Sequence, residues 1–148
     1  MAMADRRAEA SWAGNLIEGS GTLDLVSSGV ASSLPITWAS RTENADGRTS
    51  PEELLAAAHA SCYAMAFSHA LATAGNPPER LHVTSVVSLN PKEGGGVEVT
   101  DSALTVTGTV PGLDQAGFQA AAEAGEQGCP ISNAIRNNVA ITVKATLD

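Results

Sequence analysis

From Ser50 to Ala74 the chain carries the pattern that most constrains its fold: one long helix, apolar or small on nearly every face between Leu54 and Leu71. Ser50, Pro51, Glu52 and Glu53 supply an N-cap, a proline at the first helical position and acids in the first turn, where the macrodipole favours negative charge. Ser50 and Glu53 have capping-box spacing, and Gly75, Asn76, Pro77 and Pro78 end the helix. At about 1.5 Å per residue it is roughly 36 Å long. A helix apolar all round has no face to give to water, so it is expected at the buried centre of the fold, with a second copy of the chain covering its open side. His59, Ser61, Ser68 and His69 interrupt it, which reads as a core helix and not a membrane span.

The flanking segments read mostly as strands. Between Ala10 and Arg41, Trp12, Gly14 and Leu16 alternate with polar or small residues. Thr22 to Val26 then follows a Gly-Ser-Gly turn, and Leu34, Ile36 and Trp38 alternate again, which predicts three antiparallel strands. Thr42 to Thr49 is a polar loop. Beyond the prolines, Leu81, Val83, Val87 and Leu89 share one parity, and Gly94, Gly95 and Gly96 turn the chain into a strand from Val97 to Val110. The phase change between Val99 and Leu104 predicts a bulge near Asp101. Asp114 caps a short helix, with Leu113 and Phe118 at staple spacing, that Gly125 and Gly128 break. Cys129 and Pro130 open another helix reaching about Ile135, and Val139 to Leu147 alternates as a last strand. Segregated strands and helices give an α+β fold, expected as one domain over residues 1–148.

A formal net charge of −8, with eight Lys and Arg spread along the chain, argues against nucleic acid and an anionic membrane as partners. Arg6 and Arg7 precede no uninterrupted apolar stretch, so no secretory leader is read and the expected compartment is the cytoplasm. A lasting disulfide is disfavoured there. The two cysteines, Cys62 and Cys129, therefore point to transient redox chemistry, against the plainer reading of two unrelated buried thiols. A thiolate is the reactive form, and Cys62 lies mid-helix where the dipole helps little, so a cation must come from another segment. Arg41, at the end of the third strand, and Arg48, in the loop, are the candidates. His59 and His69 can share a helical face with Cys62 but read as packing or hydrogen-bonding residues. Zinc on His59, Cys62 and Cys129 would lack a fourth ligand, and a cysteine hydrolase would lack an oxyanion-hole motif. Trp12, Trp38, Met65 and Phe67 read as core or pocket wall.

The run Ser50-Pro51-Glu52-Glu53-Leu54-Leu55-Ala56-Ala57-Ala58-His59-Ala60-Ser61-Cys62 resembles the OsmC/Ohr family of thiol-dependent peroxidases, as do Pro111 to Asp114 and Gly128 to Ser132. The likeness covers nearly the whole chain, and Ala-Ala-His-Ala before Ser-Cys is closer to the OsmC branch. It implies an OsmC-like fold, antiparallel sheets wrapped around a long buried central helix, in an intertwined homodimer with active sites at the subunit interface. It implies a hydroperoxide reductase that needs no cofactor or metal and takes organic hydroperoxides, with hydrogen peroxide as a further candidate substrate. Cys62 would be the peroxidatic cysteine and Cys129 the resolving one. Arg41 would stabilise the thiolate and leaving oxygen, and Glu52 would orient the arginine; Arg48 is its alternative. The implied reductant is a dithiol, either a lipoylated protein or a small molecule.

Ten helical residues span about 15 Å, so Glu52 and Cys62 of one unbroken helix cannot share a site. Two copies crossing antiparallel near position 57 would bring Glu52 of one to Cys62 of the other, and each site is then expected to draw on both subunits. A redox-regulated binding module and a cysteine hydrolase are the competing function classes.

Overall fold

A computed structural model describes all 148 residues, in two compact units, Met1–Pro51 and Glu52–Asp148. The first unit holds β1 (Glu9–Ala13), β2 (Ser20–Asp24) and β3 (Leu34–Ile36), an antiparallel sheet in that order, as expected. The Gly-Ser-Gly segment is not the turn. Ser20 and Gly21 already pair with Ala13 and Trp12, and the chain reverses earlier, where Asn15 Oδ1 accepts from the amides of Ile17 and Glu18 at 3.0 and 2.9 Å. Gly21 is needed for close approach: a Cβ there would lie 2.3 Å from the Ser11 carbonyl oxygen and 2.9 Å from the Trp12 ring.

The third strand stops short of Trp38. Ser40 N–H donates to Thr37 Oγ1 at 3.0 Å and Thr37 N–H donates to Ser40 Oγ at 3.1 Å, a reciprocal capping box that starts α1 (Trp38–Thr42). Arg41 thus sits in the last turn of a short helix, not at a strand end. The cap satisfies backbone donors that continued alternation would have left to a neighbouring strand.

The second unit is organised on α2 (Pro51–Thr73), followed by the hairpin of β4 (Arg80–Pro91) and β5 (Val97–Thr109). The register shifts after Ser88, which pairs with Asp101, while Leu89 pairs with Val99. Thr100 is therefore the extra residue, and the bulge falls where the phase change placed it. Asp114 caps α3 (Gln115–Gln127), accepting from Gly117 N–H at 2.7 Å, and Cys129 caps α4 (Pro130–Ile135).

Gly125 lies inside α3 and does not break it. A Cβ there would stand 3.0 Å from the Phe67 ring and 3.3 Å from Phe67 Cα, so the glycine sets how closely α3 approaches α2. The aromatic column Tyr63, Phe67, Phe118 fills that contact, with ring centroids 5.6 and 5.4 Å apart and all three side chains fully buried. Each such burial stabilises the unit by about 1.5–3 kcal/mol. Leu71, Leu104, Val106, Val110, Ala122, Cys129 and Ala145 complete the core.

After α4 the chain returns as β6 (Ala140–Leu147), which pairs parallel to β5, from Asp101 with Ala140 to Gly108 with Leu147. This sheet, β4-β5-β6, is therefore mixed, where antiparallel sheets were expected. The two helices form the crossover that parallel pairing demands. The outer edge of β6 is covered by α3. Gln115 donates to Ala145 O at 2.9 Å and accepts from Leu147 N–H at 2.8 Å, while Gln119 donates to Val143 O at 3.2 Å and accepts from Ala145 N–H at 2.8 Å. Two amide side chains stand in for a fourth strand.

The long helix is not buried all round in one chain. His59, Tyr63, Phe67 and Leu71 form its buried stripe, and Ala57, Ser61, Met65 and His69 form an exposed one, with Met65 69% exposed. Both stripes follow the four-residue spacing that puts side chains on one face.

Candidate active site

The start of α4 brings the two sulfurs together. Gly128 closes α3 and Cys129 takes the N-cap position in extended backbone, with Pro130 as the first helical residue. A cysteine there uses sulfur where serine or aspartate would use oxygen: Ser132 N–H donates to Cys129 Sγ at 3.5 Å. Cys62 on α2 packs against the core cluster that holds Cys129, and the adjacent Ile131 amide and the Cys129 thiol both bear on its ionisation. Consecutive amides of one helical turn thus address the two cysteines. Both thiols are free, Cys62 half-buried and Cys129 with no exposed surface.

Burial pushes the Cys62 thiol above its ordinary pKa, and the Cys129 thiol adds to the rise, while the Ile131 amide pulls the other way. A neighbouring positive charge would be the remaining means of favouring thiolate.

Behind the sulfurs lies a buried polar chain. His59, three residues before Cys62 and without exposed surface, places Nδ1 2.7 Å from Ser102 Oγ on β5 and Nε2 2.8 Å from Ser132 Oγ on α4. Ser102 Oγ lies 3.1 Å from Ser85 Oγ on β4. The hydrogen-bonding expectation for His59 holds, and both ring nitrogens are engaged. Burial lowers the His59 pKa below 6.5, opposed by the nearby Glu126 carboxylate. Glu126, 5% exposed, is paired with Arg136 Nη2 at 2.7 Å. Tyr63 is held un-ionised well above the ordinary phenol range, by burial first and then by the nearby Glu126 and Cys129; its hydroxyl donates to Ala122 O at 2.8 Å.

The other expected site residues lie elsewhere along the chain. Arg41, in the first unit, has its guanidinium carbon 5.7 Å from the Trp38 ring centroid, a cation–π contact. It lines a pocket of about 320 Å³ with Trp12, Leu16, Ile36 and Trp38. Arg48 reaches Asp46 Oδ2 at 3.0 Å in the loop. Glu52 sits in the first turn of α2, 8% exposed, and the helix is unbroken from there to Cys62, so the roughly 15 Å between them stands. Sequence reasoning did not single out Ser102 or Ser132. Ser132 carries one local signal, its place at the third position after the Cys129 cap. Nothing in the sequence links position 59 to position 102.

Comparison with known proteins gives a consistent match. Residues 43–144 fit the family model described as OsmC-like protein. The chain is 35% identical over 136 residues to peroxiredoxin OsmC of Escherichia coli K12, covering 92% of this chain and 93% of that one. It is 32% identical over 96 residues to an organic hydroperoxide resistance protein of Xanthomonas axonopodis pv. citri, covering 64% and 65% of the two chains. Among solved structures, an organic hydroperoxide resistance protein OsmC from Legionella pneumophila superposes with a TM-score of 0.72 at 26% identity, over 99% of each chain.

Proposed function

The chain belongs to the OsmC-like protein family, and from that membership we propose that it reduces organic hydroperoxides through Cys62 and Cys129, as a cytoplasmic enzyme of oxidative-stress defence. A peroxidase-type role is what its relatives' names carry, and the observation that supports the finer reading is the neighbouring pair of free thiols. Cys62, the more accessible sulfur, attacks the peroxide O–O bond. The distal oxygen transfers to sulfur as a sulfenic acid and the alkoxide leaves as alcohol. Cys129 then attacks the Cys62 sulfenic sulfur: the S–S bond forms, the S–O bond breaks, and water departs with the Cys129 proton. A dithiol, a lipoylated protein or a small molecule, reopens the disulfide by exchange.

A cation would offset the burial that raises the Cys62 pKa, and Arg41 is assigned that role, stabilising thiolate and leaving oxygen, with Glu52 orienting it. The exposed stripe of α2 is assigned to a second copy in a homodimer, with Glu52 of the partner subunit serving the site of Cys62.

The test is a thiol count on reduced protein before and after one equivalent of cumene hydroperoxide, with intact mass. Loss of both thiols and the mass of two hydrogens per chain, with peroxide consumed one for one, is the expected result. Survival of both thiols removes the peroxidase reading and leaves the binding module.

A further inference from the structure

Of the groups outside the reacting sulfurs, His59 is the best placed to act on them. It is fully buried on the Cys62 helix, and its Nε2 holds Ser132 Oγ at 2.8 Å. Ser132 is the residue whose amide caps Cys129 Sγ at 3.5 Å, and the amide one residue earlier bears on the ionisation of Cys62. From this geometry we infer that His59 is a positioning residue for the resolving step: through Ser132 it fixes the first turn of α4 against α2, and so sets the line of approach of Cys129 Sγ to Cys62 Sγ. The inference rests on the proposed peroxidase cycle for its biological meaning but not for its test.

The physical argument is one of direction. Disulfide formation needs the attacking sulfur in line with the bond it displaces, and misplacement by about 1 Å lowers such rates by about two orders of magnitude. The α4 helix is short, six residues, and it is flanked by Cys129 and Arg136, both in non-helical backbone, so its own hydrogen bonds hold its orientation weakly. The His59–Ser132 bond ties it to α2. The other ring nitrogen, 2.7 Å from Ser102 Oγ, ties the imidazole to β5 and stops it rotating. A purely packing histidine would leave the sulfur geometry indifferent to which ring nitrogen is replaced. A positioning histidine makes the Nε2 side decisive.

That difference can be measured. In His59→Gln the amide reaches the place of Nε2 and keeps a partner for Ser132, whereas in His59→Asn it reaches only the place of Nδ1 and keeps Ser102. The reduced protein is mixed with one equivalent of cumene hydroperoxide and quenched at intervals with dimedone, and the masses of sulfenic adduct and disulfide are followed. Expected is disulfide closure slowed about tenfold or more in His59→Asn and in Ser132→Ala, with His59→Gln within about threefold of wild type. The double variant His59→Asn/Ser132→Ala should be no slower than the slower single one, because both remove one link. Loss of the first thiol should keep its wild-type rate, within about threefold, in all of them.

Equal closure rates for Asn and Gln, or wild-type closure in Ser132→Ala, would overturn the inference while leaving the peroxidase reading intact. If wild type consumes no peroxide, that reading fails by itself. The closing step is then read as thionitrobenzoate release when Cys129 attacks a Cys62 mixed disulfide, with the same order of variants expected and the same equality overturning it.

Discussion

The Cys62 thiol on α2 and the Cys129 thiol at the head of α4 are packed neighbours of unequal exposure, the first half-buried and the second closed to solvent. A reagent arriving from water therefore meets Cys62 first, and in the proposed cycle Cys129 reacts with what Cys62 becomes. Limiting iodoacetamide on the reduced protein should alkylate Cys62 at least about tenfold faster than Cys129, measured by peptide mass mapping. Cys62→Ser should reduce peroxide consumption to the uncatalysed rate. Cys129→Ser should allow one turnover and then accumulate sulfinic acid at Cys62 under excess peroxide, seen by intact mass.

His59 carries a pH signature of its own. Its folded-state pKa lies below 6.5 because burial disfavours the imidazolium, with Glu126 opposing. Between that folded value and 6.5 the unfolded chain binds a proton that the folded chain refuses, so this residue's contribution to stability is full above about pH 6.5 and is lost as pH falls. Urea midpoints measured at about pH 7.5 and 5.5 should fall further in wild type than in His59→Gln, whose side chain does not titrate. Equal falls would mean His59 does not titrate differently on folding.

Gly125→Ala sets helix propensity against packing. The substitution favours an α3 interior by about 1 kcal/mol, but the new methyl meets the Phe67 ring at 3.0 Å and its backbone at 3.3 Å. Phe67 is held between Tyr63 and Phe118 and cannot retreat, so an overpacking cost of about 1–3 kcal/mol should win. The expected net loss is about 1 kcal/mol, read as a lower urea midpoint at unchanged slope.

Removing Arg136 strands a carboxylate. Arg136→Met leaves the Glu126 side chain, 7% exposed, without its ion-pair partner, while the arginine itself is 31% exposed. Discounted for that exposure, the loss should be about 1–3 kcal/mol. Glu126→Gln in the same background should recover part of it, because a neutral amide is less costly to leave in that site. The check is a double-mutant cycle on chemical denaturation.

Edge protection of β6 makes a solution prediction. Gln119→Ala removes the side chain that pairs the Val143 carbonyl and the Ala145 amide, and exposes strand edge that can template another chain. Stability should fall by about 1 kcal/mol and light scattering on mild heating should rise relative to wild type.

Much of this fold was legible because its signals are local. The α2 boundaries follow from proline, acids and the Gly-Pro stop, the bulge from the parity change before Leu104, and the caps at Asp114 and Cys129 from residue type and position. The misread elements are those where two local rules compete or a distant contact wins. Leu34, Ile36 and Trp38 alternate like a strand, yet the Thr37–Ser40 capping box turns the chain at Ile36. Gly125 is a residue type that breaks helices, yet it lies inside α3, where its missing side chain allows the close approach to Phe67.

What the sequence by itself determined was the inventory: a long apolar helix, two cysteines with their local settings, and the family those motifs mark. Periodicity, capping and turn chemistry act within about one helical turn, so residue order alone carries them. Only the tertiary structure decided that β6 runs parallel to β5, that consecutive amides of α4 serve Cys62 and Cys129, and that His59 joins Ser102 to Ser132. Those contacts join segments far apart in the chain, and they form because a polar group buried with the shared core must find its hydrogen-bond partners there.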